Sequence, residues 1–449
     1  MGKWFGTDGI RGVANTDPMT AEMALKVGRA VAFACRRAER RPRVVVGRDP
    51  RISGDALEHA LVAGICSMGA DACRVGILPT PGVAFLVRDL DADAGIVLSA
   101  SHNPFPDNGI KLFSSAGRKL PDAREAEIEA LILEARPGQN LPTGERLGRA
   151  VSVADAENRY VDFLKRTWPR DLSLEGLKVA MDCANGATYR VGPRTFAELG
   201  AVVAALGIGP DGTNINRDCG SEHVEPLARR VIEEGAALGL AFDGDGDRLI
   251  AVDERGGIVT GDRILALAAR ALETEGRLRN GVVVSTVMSN LGLRSALRVA
   301  GIRHVATPVG DRYVRDAMDE TGAILGGEDS GHLIFGEHHT TGDGILSALQ
   351  LAAILRRTGR LLSELAAVMT VYPQHLVNVD VRAKPELDAV PAIAAAIAAA
   401  EASLGEHGRV LVRYSGTQPL CRVMVEGPTA EITAETCRRI AAVVARELG

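Results

Sequence analysis

One order of segments recurs three times along this chain. Val44-Val45-Val46-Gly47 leads through a Gly/Ser turn to a helical stretch at 55–68, then to Gly69 and a second apolar run at 73–78. Lys178-Val179-Ala180-Met181 is followed by a helical stretch at 195–199, Gly200 and an apolar run at 201–206; Val282-Val283-Val284 is followed by 292–300, Gly301 and 302–306. Strand, turn, helix, glycine, strand is a βαβ unit, and its crossover makes the two strands parallel. The repetition predicts three related α/β domains. A chain of 449 residues also exceeds the roughly 250–300 at which single cores stop growing. From Tyr372-Pro373 onward the pattern changes. Alternation at 377–381, an Ala-rich helix at 391–404, strands at 410–412 and 422–425 and a last helix at 431–448 read as a small α+β domain outside the repeat. The expected boundaries are 1–155, 156–256, 257–370 and 371–449.

Composition narrows the function classes. A net charge of −5 with 4% aromatic residues gives neither a basic footprint nor stacking platforms, which disfavours nucleic acid as a partner. The longest apolar helix candidate, 392–400, stops at Glu401, short of the roughly 20 residues of a membrane span. Seven scattered cysteines without C-x-x-C spacing read as reduced thiols, mostly in the core. A cytoplasmic protein without a membrane partner is expected.

Two segments carry the chemistry. The apolar run Ile96-Val97-Leu98 ends in Ser99-Ala100-Ser101-His102-Asn103-Pro104, placing Ser101 at the end of a buried strand, where α/β sheets hold their ligands. Far downstream stands Asp243-Gly244-Asp245-Gly246-Asp247-Arg248, an oxygen-only ligand set for a hard cation. A hydroxyl that accepts a phosphoryl group needs such a cation to neutralise charge on the phosphate oxygens, so the pair suggests phosphoryl transfer. Asp243, Asp245, Asp247 and Glu254 also match positions one, three, five and twelve of a calcium loop, but Arg248 stands where that loop needs glycine and the flanks look like strands. On the motif alone, a solvated Asp-Gly turn remains the alternative, and an ion here is expected at the surface.

Other segments could serve a phosphorylated sugar. Arg413-Tyr414-Ser415-Gly416-Thr417-Gln418-Pro419 offers backbone N–H groups, hydroxyls and a guanidinium. Gly327-Glu328-Asp329-Ser330-Gly331-His332 offers Glu328 and Ser330 to sugar hydroxyls and His332 to move protons. Lys111 could place a cation near the serine, unless it is a solvated surface lysine, and Arg11 could contact a phosphate.

Taken in order, these segments resemble the α-D-phosphohexomutase superfamily over essentially the whole chain. The resemblance implies a four-domain fold, three domains related, with a phosphoserine at Ser101 and Mg²⁺ held by Asp243, Asp245, Asp247 and Ser101. It implies sugar contacts from Glu328 and Ser330, and a non-reacting phosphate held by Arg413, Ser415, Gly416, Thr417 and Arg422. Lys111 and His332 would move protons, with Arg11 and Arg248 as electrostatic supports. Segments 5–12, 107–111, 214–220, 309–314 and 340–344 most resemble the branch that acts on glucosamine phosphates. That branch implies sugar phosphates as partners, a glucosamine 1,6-bisphosphate intermediate and a place before UDP-N-acetylglucosamine; the sequence itself sets no oligomeric state, and a homodimer is one candidate assembly. The alternatives are the branch acting on mannose and glucose phosphates and a non-catalytic, calcium-stabilised sugar-binding module. One departure stands out: the family's phosphate loop usually continues Gly-Thr-Glu-Pro, whereas this chain has the neutral Gln418.

Overall fold

The computed structural model describes residues 4–6, 8–37, 40–134, 141–415 and 419–449. They form two compact units, 1–288 with 301–368, and 289–300 with 369–449.

The larger unit holds three sheets built on one plan. In the first, the strand Arg43–Arg48 lies between parallel neighbours Asp71–Ile77 and Ala94–Leu98, and Asp107–Ser114 extends the sheet antiparallel beyond Ala94–Leu98. In the second, Lys178–Asp182 lies between parallel Val202–Leu206 and Leu238–Phe242, and Leu249–Asp253 follows antiparallel. In the third, Val282–Thr286 lies between parallel Arg303–Thr307 and Leu325–Gly327, and Leu333–Phe335 follows antiparallel. The order read from the sequence therefore recurs as topology. The central strands are continuous apolar runs because both faces are covered; Val44, Val45, Val46, Ile96, Val97 and Leu98 have no exposed surface.

The shared plan has a consequence for function. Residues 99–106 join the antiparallel pair of the first sheet, 243–248 that of the second and 328–332 that of the third. The serine loop, the acidic loop and the Glu328 loop thus occupy the same place in three copies of one unit. Each hangs from the carboxyl end of a buried parallel strand, where side chains can converge without breaking a ladder.

The smaller unit is an antiparallel sheet of Gln374–Asp380, Leu420–Glu426 and Arg409–Tyr414, with Leu420–Glu426 in the centre. Its core is Val379, Ile393, Val423, Val425, Ile440 and Val444, drawn from the sheet and from helices Pro391–Leu404 and Ala430–Leu448. The helix Leu291–Val299, which follows the first strand of the third repeat, groups with this unit. The buried carboxylate of Glu426 explains why: it accepts from Leu291 N at 2.9 Å and from the Asn290 amide at 3.2 Å, and Arg409 Nε lies 2.5 Å away. A carboxylate on the first turn also complements the helix dipole.

Candidate active site

The serine loop is moulded by a buried guanidinium. Arg51 has no exposed side-chain surface and spends its N–H groups on Asp49 (Nε, 2.8 Å) and on the carbonyls of Ser101 (3.0 Å), Asn103 (2.8 Å), Asp107 (3.0 Å) and Pro104 (2.5 Å). Asp49 in turn accepts from the Ser99 hydroxyl at 2.6 Å, and Ser99 Oγ accepts from Ser101 N at 2.9 Å. This net holds Ser101 at φ 53°, a left-handed conformation that needs support from its surroundings in a residue with a side chain. Arg51→Met is expected to cost about 3–5 kcal/mol, because Asp49 would remain buried and unpaired. Denaturant midpoints check this, and a loss below roughly 1 kcal/mol would show that the loop holds itself.

The hydroxyl of Ser101 donates to Asp243 Oδ2, so the serine loop and the acidic loop meet at the serine hydroxyl. Asn216 reinforces the junction, donating to the carbonyls of Ser101 at 2.8 Å and Asn103 at 3.0 Å. The glycines between the aspartates permit this approach. A Cβ on Gly244 would stand 2.6 Å from the Ser101 carbonyl, and Gly246 has φ 73°. Neighbouring turns fix the loop's backbone: Thr80 N donates to Asp245 O at 2.9 Å, Ala187 N to Gly244 O at 2.8 Å and Gly344 N to Gly246 O at 3.0 Å.

Carboxylate oxygens of Asp243, Asp245 and Asp247 lie within 4.8 Å of one another, all three residues buried. This corrects the expectation of a surface ion: the loop lies under the serine turn, and water does not balance its charge. Asp243 is held well above the ordinary carboxylate range by burial, then by the charges of Asp247 and Asp245. Burial also opposes the charge of Asp245, but the Lys111 ammonium 2.7 Å away outweighs it and keeps that carboxyl below the usual range. Asp245 Oδ1 and Asp247 Oδ1 are buried without a hydrogen-bond partner. Three converging carboxylates, two of them with an unmet oxygen, fit a hard divalent cation. Glu254, the twelfth position of the calcium-loop spacing, accepts from Ser363 N at 3.2 Å and takes no part in the cluster, which removes that reading.

Lys111 is not the solvated lysine that the sequence left open. It is buried, 2.7 Å from Asp245 and 3.2 Å from Asp8, and although burial pulls its pKa down, Asp245 and then Asp8 hold it well above the usual lysine value. From it runs a ladder of alternating charge. Asp8 pairs with Arg11, Lys111 and Lys119; Lys119 Nζ lies 2.6 Å from Asp311, and Asp311 lies 3.5 Å from His332 Nε2. His332 makes a β-bridge with Arg248, next to the acidic loop. Sequence-expected Arg11, Lys111, Arg248 and His332 thus gather around the serine and acidic loops; Asp8 and Asp311 stood in the segments 5–12 and 309–314 without a role, and Lys119, Arg51 and Thr80 carried no motif that announced them. Glu328 accepts from Gly310 N at 3.1 Å, and Ser330 is exposed on the same loop.

In the smaller unit, Arg413 and Arg422 stand directly opposite each other on adjacent strands, and Asn378 opposes Arg422 on the other side. Like charges so placed repel; burial and then Arg422 pull the Arg413 pKa down. Ser415 N donates to Leu420 O at 2.8 Å, and Lys384 Nζ donates to Ser415 O at 2.6 Å. Two guanidiniums facing each other across adjacent strands suit an anion. Gly416, Thr417 and Gln418 lie outside the described residues.

Among the described residues no helix is long and apolar enough to cross a membrane. Family models described as phosphoglucomutase/phosphomannomutase match four successive stretches: alpha/beta/alpha domain I at residues 2–138, domain II at 158–257, domain III at 260–372 and the C-terminal domain at 376–443. The chain is 57% identical to a phosphoglucosamine mutase of Syntrophus aciditrophicus over 100% of both chains, and 53% identical to one of Geobacter sp. (strain M21) over 100% of this chain and 99% of the relative. Among solved structures, a phosphoglucomutase/phosphomannomutase family protein of Burkholderia thailandensis superposes with a TM-score of 0.81 at 26% identity, covering 98% of this chain and 97% of that one. An N-acetylphosphoglucosamine mutase of Aspergillus fumigatus, solved with GlcNAc-6P and magnesium, shares the fold with a TM-score of 0.68 at 18% identity, covering 99% and 96%. Four domain models matched in order along the chain, together with full-length relatives more than half identical to it, decide the matter: the chain belongs to the phosphoglucomutase/phosphomannomutase family, the α-D-phosphohexomutases.

Proposed function

We propose that this chain interconverts glucosamine 6-phosphate and glucosamine 1-phosphate through a phosphoserine at Ser101 and a glucosamine 1,6-bisphosphate intermediate. The observation that carries the chemistry is the contact between Ser101 Oγ and Asp243 inside the aspartate cluster. The substrate follows from full-length relatives at 51–57% identity that are named phosphoglucosamine mutase.

In this reading the phosphoserine P–O bond breaks as the sugar 1-hydroxyl bonds to phosphorus, and the hydroxyl proton leaves to a base. In the second half the 6-phosphate passes its phosphoryl group to Ser101 Oγ, and the 6-oxygen takes up a proton. Asp243, Asp245 and Asp247 would hold Mg²⁺, which supplies charge neutralisation on the transferring group. Arg51 and Asn216 keep the serine turn from collapsing when the phosphate departs. Arg11, Lys111 and Arg248 stabilise the charge that develops on the phosphoryl oxygens. His332, buried and with both ring nitrogens unspent on hydrogen bonds, is the proton carrier the site offers. Arg413 and Arg422, with Ser415, Gly416 and Thr417, would take the phosphate that is not reacting, and Glu328 and Ser330 the sugar hydroxyls.

Side-by-side rates on glucosamine, glucose and mannose 6-phosphates test the substrate. Glucosamine phosphate is expected to have the highest kcat/KM by roughly ten- to a hundredfold, the worth of one charge-assisted hydrogen bond. Equal or faster turnover of a 2-hydroxy sugar would move the chain to the mannose and glucose branch and leave the phosphoserine chemistry standing.

A further inference from the structure

A glucosamine phosphate near neutral pH carries a 2-ammonium into a site lined by Arg11, Lys111 and Arg248. Those cations suit phosphate and repel the amine, so the amine needs a carboxylate that the rest of the site has not consumed. Asp243, Asp245 and Asp247 form the cation cluster. Asp8 is shared among Arg11, Lys111 and Lys119. Glu222, about half exposed, lies 3.4 Å from Arg248. Asp311 and Glu328 remain, and the structure brings their loops together: Gly310, at φ 136°, donates its N–H to Glu328 Oε1 immediately before the chain reaches Asp311.

Of these two, Asp311 belongs to the segment at the start of the helix Asp311–Thr321, outside the serine, acidic and Glu328 loops. One of its oxygens accepts from the backbone N of Arg312 at 2.9 Å; the other lies 2.6 Å from Lys119 and 3.5 Å from His332. Lys119 divides its charge between Asp311 and Asp8, so Asp311 keeps a share of its own charge. Its side chain retains 12% of its surface, beside the exposed Pro308 and Val309. Burial works against its ionisation, but Lys119 and then His332 hold its pKa below the usual value.

We infer that Asp311 is the specificity-determining carboxylate that receives the 2-ammonium of the sugar. The inference rests on the proposed function. A 2-hydroxy sugar has no positive charge for Asp311 to pair with, so the side chain separates the two substrate classes by charge rather than by shape.

The test is the ratio of kcat/KM on glucosamine 6-phosphate to that on glucose 6-phosphate, measured for the wild type, for Asp311→Asn and for the double variant Lys119→Met/Asp311→Asn. The double variant removes the lysine that the single change leaves unpaired, so it separates lost recognition from disturbed packing. Both variants are expected to lower the ratio at least about tenfold, with the loss falling mainly on the aminosugar. If both substrates lose activity by the same factor, or neither does, Asp311 serves the ladder alone and the inference is wrong. The wild-type ratio reports separately on the proposed function: a wild type without preference for the aminosugar defeats that reading whatever the variants do.

Discussion

Ser101→Ala should abolish turnover, with residual rates at least on the order of 10⁴-fold below wild type, because no other group can take its place as the covalent acceptor. Asp243, Arg51 and Asn216 converge on this one residue; Arg51 and Asn216 carry no nucleophile, and Asp243 is taken up in the aspartate cluster. The fold should survive. The lost hydroxyl leaves Asp243 with the Arg248 N–H at 3.1 Å, and alanine retains the backbone N–H and carbonyl that Ser99, Arg51 and Asn216 bind. Steady-state rates together with thermal melts check both halves. A Ser101→Ala protein that still isomerises sugar phosphates at more than a per cent of wild type would require another acceptor.

Asp243→Asn is the second large effect, and it should separate activity from stability. Removing one of three carboxylates takes away a ligand and the charge that draws a divalent cation, so Mg²⁺-dependent turnover should fall by several kcal/mol in the barrier, roughly 10³-fold or more. Without divalent metal the same change should leave the melting temperature unchanged or raise it. Burial and the charges of Asp247 and Asp245 oppose the charge of Asp243, and a neutral amide of the same shape removes that repulsion. Added Mg²⁺ should raise the melting temperature of the wild type more than that of the variant. Melts of both proteins with and without Mg²⁺, beside rates, are the check; an Asp243→Asn protein that unfolds readily without metal would mark the loop as a structural brace.

How much of this was legible beforehand depended on whether a feature is local in sequence. The three-fold βαβ plan could be read because buried parallel strands are continuous apolar runs, and Val44–Val46 or Val282–Val284 need no partner to announce themselves. Ser101 and the aspartates could be read because strand end, turn residues and oxygen ligands lie within a few positions of each other. The supports could not. Arg51 reaches carbonyls 50 and more residues away, and Lys119 joins Asp8 to Asp311 across nearly the whole of the larger unit. Such residues look like ordinary surface charges until the chain folds. Lys111 shows the same limit, since only three-dimensional proximity to Asp245 and Asp8 tells a buried ammonium from a solvated one. The surface placement of the ion failed for a related reason. Asp-Gly repeats normally mark exposed turns, and nothing local reveals that Gly244 presses on the Ser101 carbonyl. The grouping of the helix Leu291–Val299 with the smaller unit depends on Glu426, more than 120 residues downstream, and follows from no periodicity.

In the proposed reaction the phosphoryl group resides on Ser101 and passes from there to the sugar. The most direct test is to treat dephosphorylated protein with glucosamine 1,6-bisphosphate labelled in its phosphates, with Mg²⁺ present, and to sequence the labelled peptide by mass spectrometry before and after adding unlabelled glucosamine 6-phosphate. One phosphate per chain is expected, on Ser101, lost to the sugar pool on chase and absent from Ser101→Ala. Label that stays on the protein through turnover, or turnover by a protein that never carries phosphate on Ser101, would contradict that reaction.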